Sequence, residues 1–176
     1  MLPILFAEPT AAIVAEHHAP TPPPTVDDIL AMAEKLPVIE CPGPCPKVRR
    51  GAFGHVKDAR IIAQAIADGI QDDEHPWLWA ARGVTYAAYE SGMRACPKPG
   101  DGGKAWGGWQ LQGVPPFVAC IPERAFPIWL RLAKASEADC AKLPRENQLA
   151  ELASGSCARG RDLAARRDRL ARSIVP

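Results

Sequence analysis

The chain has no surplus of charge of either sign: 21 Lys and Arg face 20 Asp and Glu, a formal net charge of +1. That balance gives no general pull toward a polyanion, so no nucleic-acid partner is expected. Long apolar runs are missing too, and no segment approaches the ~20 residues of a membrane-spanning helix. Met1 to Ala7 are apolar, but no Lys or Arg precedes them, Pro3 interrupts them and Glu8 ends them, which does not make a standard signal peptide. No internal repeat is visible, which leaves one ordinary domain plus an appendage as the organisation that 176 residues allow. Tyrosine is scarce, at two residues, against five tryptophans.

Proline and cysteine are plentiful. Residues 1–50 hold ten of the nineteen prolines, a composition that favours extended linker over packed core. Within it, Thr25 and Asp28 form a capping pair, and Ile29, Met32, Ala33 and Leu36 share one helical face before Pro37. This short helix is expected to dock on the domain or on a partner. The six cysteines are many for a cytosolic chain of this size and suggest an oxidising, extracytoplasmic setting. Proximity pairs Cys96 with Cys120, around the glycine-rich segment, and Cys140 with Cys157. Cys41-Pro-Gly-Pro-Cys45 with His55 suggests a metal knuckle, but no fourth ligand stands at a zinc-like spacing, so a disulfide or free thiols are favoured and no metal or cofactor is expected.

From Asp58 onward the periodicity is helical. Ile61, Ile62, Ala65, Ile66 and Ile70 mark one helix. A second starts at His75-Pro76 and runs through Trp79, Val84 and Ala88 to Glu90, with Gly92 as its stop. Residues 97–103 read as loop and Trp109 to Val114 as a short strand closed by Pro115-Pro116. Further helices are expected over 123–135, 145–153 and 161–173. The expected fold is mainly α, with a small β element. Residues 1–57 are taken as a Pro-rich extension and 58–176 as the domain.

The chemistry concentrates in Glu90-Ser91-Gly92, Gly100-Asp101-Gly102-Gly103 and Gly107-Gly108-Trp109-Gln110-Leu111. Glu90 ends an apolar helix, where burial favours the protonated form a general acid needs. Asp101 adds a second carboxylate on a glycine-rich turn, and two carboxylates in a cleft suffice to cut a glycosidic bond. Against this, Glu90 alone reads as a helix-end residue paired with Arg94, and Pro-Gly-Asp-Gly is turn chemistry by itself. Trp77 and Trp79 read as core, and Trp106 and Trp109 as the better candidates for stacking on sugar rings.

Glu-Ser followed by Gly-Gly-Trp-Gln resembles the lysozyme-like domain of soluble lytic transglycosylases. The Gly100–Gln110 stretch also resembles the goose-type lysozymes. The resemblance covers roughly residues 58–173, and its specific part is residues 90–111. It implies an α+β lysozyme-like fold with its small β element beside an active-site cleft. The implied substrate is peptidoglycan, cut at the bond between N-acetylmuramic acid and N-acetylglucosamine. Glu90 would be the general acid. Gln110 would bond the sugar or the catalytic carboxyl, Gly107 would let the strand approach both, and Ser91, Trp106 and Trp109 would join in substrate binding. Asp101 would activate water in the goose-type pattern, whereas the substrate's own 6-hydroxyl attacks in the transglycosylase pattern. The chain departs from these families at Gly108, where they prefer an apolar side chain. It also lacks any tyrosine after Tyr89, with Leu152–Cys157 occupying the place of their late motif. A phage or prophage setting fits the resemblance, with other virion or envelope proteins as partners of the N-terminal extension.

Other constellations point elsewhere. His17-His18 reads as solvated. Cys/His nucleophilic catalysis with His55 or His75 lacks a recognisable nucleophile context. The six arginines between Arg159 and Arg172 read as a solvated helix face partnered by Asp162 and Asp168, in preference to a patch for anionic polymer or DNA. The competing readings of the whole are a non-catalytic structural or glycan-binding domain and a disulfide-stabilised module with an accidental motif.

Overall fold

Thr25 and Asp28 close the first helix as their spacing predicts. The Thr25 hydroxyl accepts from the Asp28 N–H at 3.2 Å, and the Asp28 carboxylate accepts from the Thr25 N–H at 2.8 Å. Helix α1 spans Val26–Lys35. The computed structural model of the chain describes residues 21–37 and 53–176. The Cys41–Cys45 knuckle, His17-His18 and most of the Pro-rich segment lie outside the described residues, as does any partner surface there.

Helix α2 (Ala59–Gly69) and α3 (Pro76–Ser91) follow, with Pro76 at the first turn of α3 and Gly92 at its C-terminal end. Gly92 sits at φ 65°, the left-handed conformation that glycine adopts without steric cost. A hairpin comes next: β1 (Ala105–Trp106) pairs antiparallel with β2 (Leu111–Gln112), in the register Ala105 opposite Gln112 and Trp106 opposite Leu111. The expected strand from Trp109 to Val114 is therefore shorter, and Trp109 and Gln110 belong to the turn between two strands. Gln110 bends the chain at φ 48°. Helices α4 (Pro116–Ala119), α5 (Pro122–Asp139), α6 (Ala150–Ser154) and α7 (Arg161–Ile174) complete the order. The expected helix over 145–153 resolves into a 3-10 turn at Arg145–Asn147 and the short α6.

The core is built on α2, α3 and α5. Ile62, Ile66, Val84, Phe126 and Trp129 are buried, and the rings of Trp79, Tyr86, Trp109, Phe126 and Trp129 pack with centroids 5.3–6.5 Å apart. Trp79 is core, as expected. Helix α1 packs on α2 and α3, and Ile29, Met32, Ala33 and Leu36 disappear into the same core. At roughly 1.5–3 kcal/mol for each large side chain removed from water, α1 is a structural part of the domain. The division at residue 57 thus cuts through a single core, because an apolar helix face set among prolines still has to be covered.

Two disulfides form as proximity suggested. Cys96–Cys120 ties the end of α3 to α4 around the hairpin, and Cys140–Cys157 ties the end of α5 to the segment before α7. The arginine-rich α7 departs from its expected role. Asp168 is fully buried against Arg82 of α3 at 2.8 Å, and Arg167 is buried as well. Only part of this helix is a solvated face. The i,i+4 pair Arg172–Asp168, at 2.6 Å, is present. No helix among the described residues is long and apolar enough to cross a membrane.

Candidate functional site

A cleft of about 840 Å³ opens between the helical part of the molecule and the hairpin. Its helical side carries Tyr86 and Glu90 of α3, Trp129, Leu132 and Asp139 of α5, and Leu163 and Arg167 of α7. The hairpin side carries Asp101, Gln110 and Gln112, and α6 contributes Glu151, Leu152 and Ser154. Glu90, Asp101, Trp109 and Gln110, four of the predicted site residues, thus line one cavity. Ser91, Trp106 and Gly107 lie outside its lining.

Glu90 faces the cleft with 29% of its side chain exposed, and its Oε1 meets Arg167 Nη1 at 2.5 Å. The expected surface partner, Arg94, is replaced by an arginine from the last helix, brought in because α7 packs along α3. The Arg167 guanidinium lies 4.6 Å from the centre of the Tyr86 ring, and its Nε is buried without a hydrogen-bond partner. Burial pushes the Tyr86 phenol up to about 12, against the opposing pull of the Arg167 charge. The Tyr86 hydroxyl itself has no partner of hydrogen-bond geometry. Burial raises the Tyr89 phenol as well.

On the hairpin side, backbone geometry dominates. Gln110 does not reach Glu90 with a hydrogen bond: its Oε1 accepts from the Gly100 N–H at 2.8 Å and its Nε2 donates to the Gly107 carbonyl at 3.1 Å. The side chain is a brace that holds the glycine loop to the hairpin turn. Gly107 serves a different approach from the one expected. It has φ 79°, and a Cβ there would stand 1.8 Å from the Ala119 carbonyl oxygen, so glycine is required for the turn to lie on α4. Asp101, at φ 49°, is exposed and accepts from Gln112 Nε2 at 2.5 Å, which spans the two arms of the hairpin.

The tryptophans assume structural roles. Trp109 is 4% exposed, packs on Phe126 and Trp129, and donates its indole N–H to the Gly83 carbonyl at 2.9 Å. Trp109 borders the cleft, but this packing takes its ring into the core. Trp106 is half-buried and donates to the Gly103 carbonyl at 3.1 Å, outside the cleft. Ser91 finishes α3, donating to the Ala87 carbonyl and accepting from the Arg94 N–H. Core packing takes Trp109, and local hydrogen bonds take Trp106 and Ser91.

The sequence alone missed Arg167, Tyr86, Asp139 and Glu151. Arg167 is hidden among neighbours of its own kind, and the two acids have no local motif. The i−4 relation of Tyr86 to Glu90, on one face of α3, is the signal that was available. Glu151 also approaches Cys140 and Cys157 to within 4.8 Å, but their sulfurs are joined in a disulfide and offer no thiolate to a metal. No family model, curated protein or solved structure matches the chain.

Proposed function

We propose that the chain is a peptidoglycan-cleaving glycosidase of lysozyme-like character, with Glu90 as the general acid that protonates the leaving oxygen. The observation that carries this reading is the convergence of Glu90, Asp101 and Gln110 on one cleft from separate stretches of sequence. The helix–loop–hairpin order of the motif supports it. Arg167 engages Oε1 of Glu90. A guanidinium beside a carboxyl favours its charged form, so the general-acid role requires the saccharide to displace Arg167 as it binds. Asp101, on the opposite wall, is the base for a hydrolytic water, and the transglycosylase route needs no such base. Two disulfides favour action in an oxidising compartment outside the cytoplasm.

Clearing of purified cell wall tests the proposal. Wild type should clear it, and Glu90→Gln should lose about 10²–10⁴-fold in rate. Equal clearing by both proteins would remove Glu90 from the chemistry. Mass spectrometry of the products separates the routes, since anhydro-muramyl ends report transglycosylation and reducing ends report hydrolysis. A second reading, a non-catalytic glycan-binding or structural domain, is favoured by the Glu90–Arg167 pair and by the engagement of the Gln110 amide within its own loop. Failure of wild type to clear wall that it nevertheless binds would decide for that reading.

A further inference from the structure

Four carboxylates and one guanidinium line the cleft: Glu90, Asp101, Asp139 and Glu151 against Arg167. Arg167 is taken by Glu90. Asp101, Asp139 and Glu151 have no cationic partner among the described residues. A cleft with carboxylates left uncompensated attracts positive charge.

A second observation says that the ligand is more than a bare cation. Tyr86 and Trp129 line the same cleft at 2% and 1% exposure, and neither the Tyr86 hydroxyl nor the Trp129 indole N–H has a hydrogen-bond partner. Buried donors normally find an acceptor, so this pair is open to oxygen atoms of water or of a ligand. Leu132 and Leu163 add partly exposed apolar surface to the lining, suited to the C–H face of a pyranose.

We propose that the cleft selects a saccharide chain bearing a free primary ammonium group. Asp139 and Glu151 hold the ammonium, and Tyr86 and Trp129 hydrogen-bond the oxygens of the chain. This substrate class rests on the glycan reading given above. The ammonium has two chemical sources, the 2-amino group of a de-N-acetylated hexosamine and the side-chain amine of a wall peptide stem.

Binding by the intact protein tests the idea with two matched pairs of probes. The first is a thio-linked glucosamine oligosaccharide, which resists cleavage, and its fully N-acetylated counterpart. The second is a disaccharide-peptide with its stem amine free, and the same compound with that amine acetylated. The free amine should win in at least one pair by about fivefold at low salt, and that advantage should shrink as salt is raised. The pair that shows it identifies the source. Asp139→Asn combined with Glu151→Gln should abolish the advantage while leaving affinity for the acetylated probe unchanged. The salt titration of the wild-type protein reports the same charge dependence if that variant folds poorly. Equal affinity within both pairs overturns the proposal while leaving wall cleavage by Glu90 standing. Absence of binding to every probe, with no wall clearing, overturns both.

Discussion

The two walls of the cleft are held by different physics. On the helical wall, α3 and α7 are joined by charge. Arg82 and Asp168 are sealed at 1% and 0% side-chain exposure, whereas Glu90 and Arg167, two turns away along α3, open on the cavity at 29% and 9%. On the hairpin wall, two-residue strands, glycines and the brace of Gln110 do the work, and charge contributes little. One helix pair therefore carries a sealed pair that fixes it and an open pair that faces the cavity. The hairpin wall fixes its shape through backbone conformations that few residues tolerate.

The largest effect expected from breaking this contrast lies at Asp168. Asp168→Ala leaves Arg82 buried without its main partner and should cost about 3–5 kcal/mol, read from urea unfolding. An effect below about 1 kcal/mol would show that Glu137, 3.1 Å from Arg82, carries the charge alone. Next comes the covalent tie beside the cleft. Cys140→Ser with Cys157→Ser opens a loop of 17 residues' separation and should cost about 3 kcal/mol in the same measurement. Gly107→Ala should follow on the hairpin wall, at about 1–3 kcal/mol, because both the left-handed backbone and the Ala119 carbonyl resist a Cβ.

Tyr86 sharpens the contrast through pH. Its phenol is raised to about 12 when folded. An unfolded chain ionises its tyrosine near 10, so the folded state holds the proton longer. Stability should fall as pH rises from about 10 to 12 and stop changing from this cause above that window. Tyr86→Phe should remove that alkaline loss and leave stability at neutral pH within about 0.5 kcal/mol, since the hydroxyl has no partner to lose. A small effect also belongs to the cap of α1, remote from the cleft. Thr25→Ala should cost about 1 kcal/mol. The hydrogen bond from the Thr25 side chain holds the Asp28 carboxyl below its ordinary value, so the stability contributed by the cap is present above pH ~4 and is lost as pH falls below it.

What the sequence made legible follows from locality. The capping pair of α1 and the Pro76 start and Gly92 stop of α3 are written within a turn or two of chain. Each formed as read. The two disulfides were legible because each pairs cysteines that are near neighbours among the six. The residues that went astray answer to distant partners. Trp109 was claimed by Phe126 and Trp129 of α5, and Arg167 and Asp168 were buried by Glu90 and Arg82 of α3. Gln110 met a loop only ten residues back, but through a positive-φ turn that no alternation of apolar residues announces. The convergence of Glu90, Asp101 and Gln110 on one cavity was legible from the motif, and the acids opposite them were not.

The Cys96–Cys120 link closes the hairpin wall into a covalent ring of backbone. A protease that nicks the exposed glycine loop at Gly102 or Gly103 would thus leave both ends attached to the molecule. The cut chain should run as one species until thiol is added, and only then release its halves. A chain cut there loses a peptide bond at the edge of its cleft and still keeps the cleft.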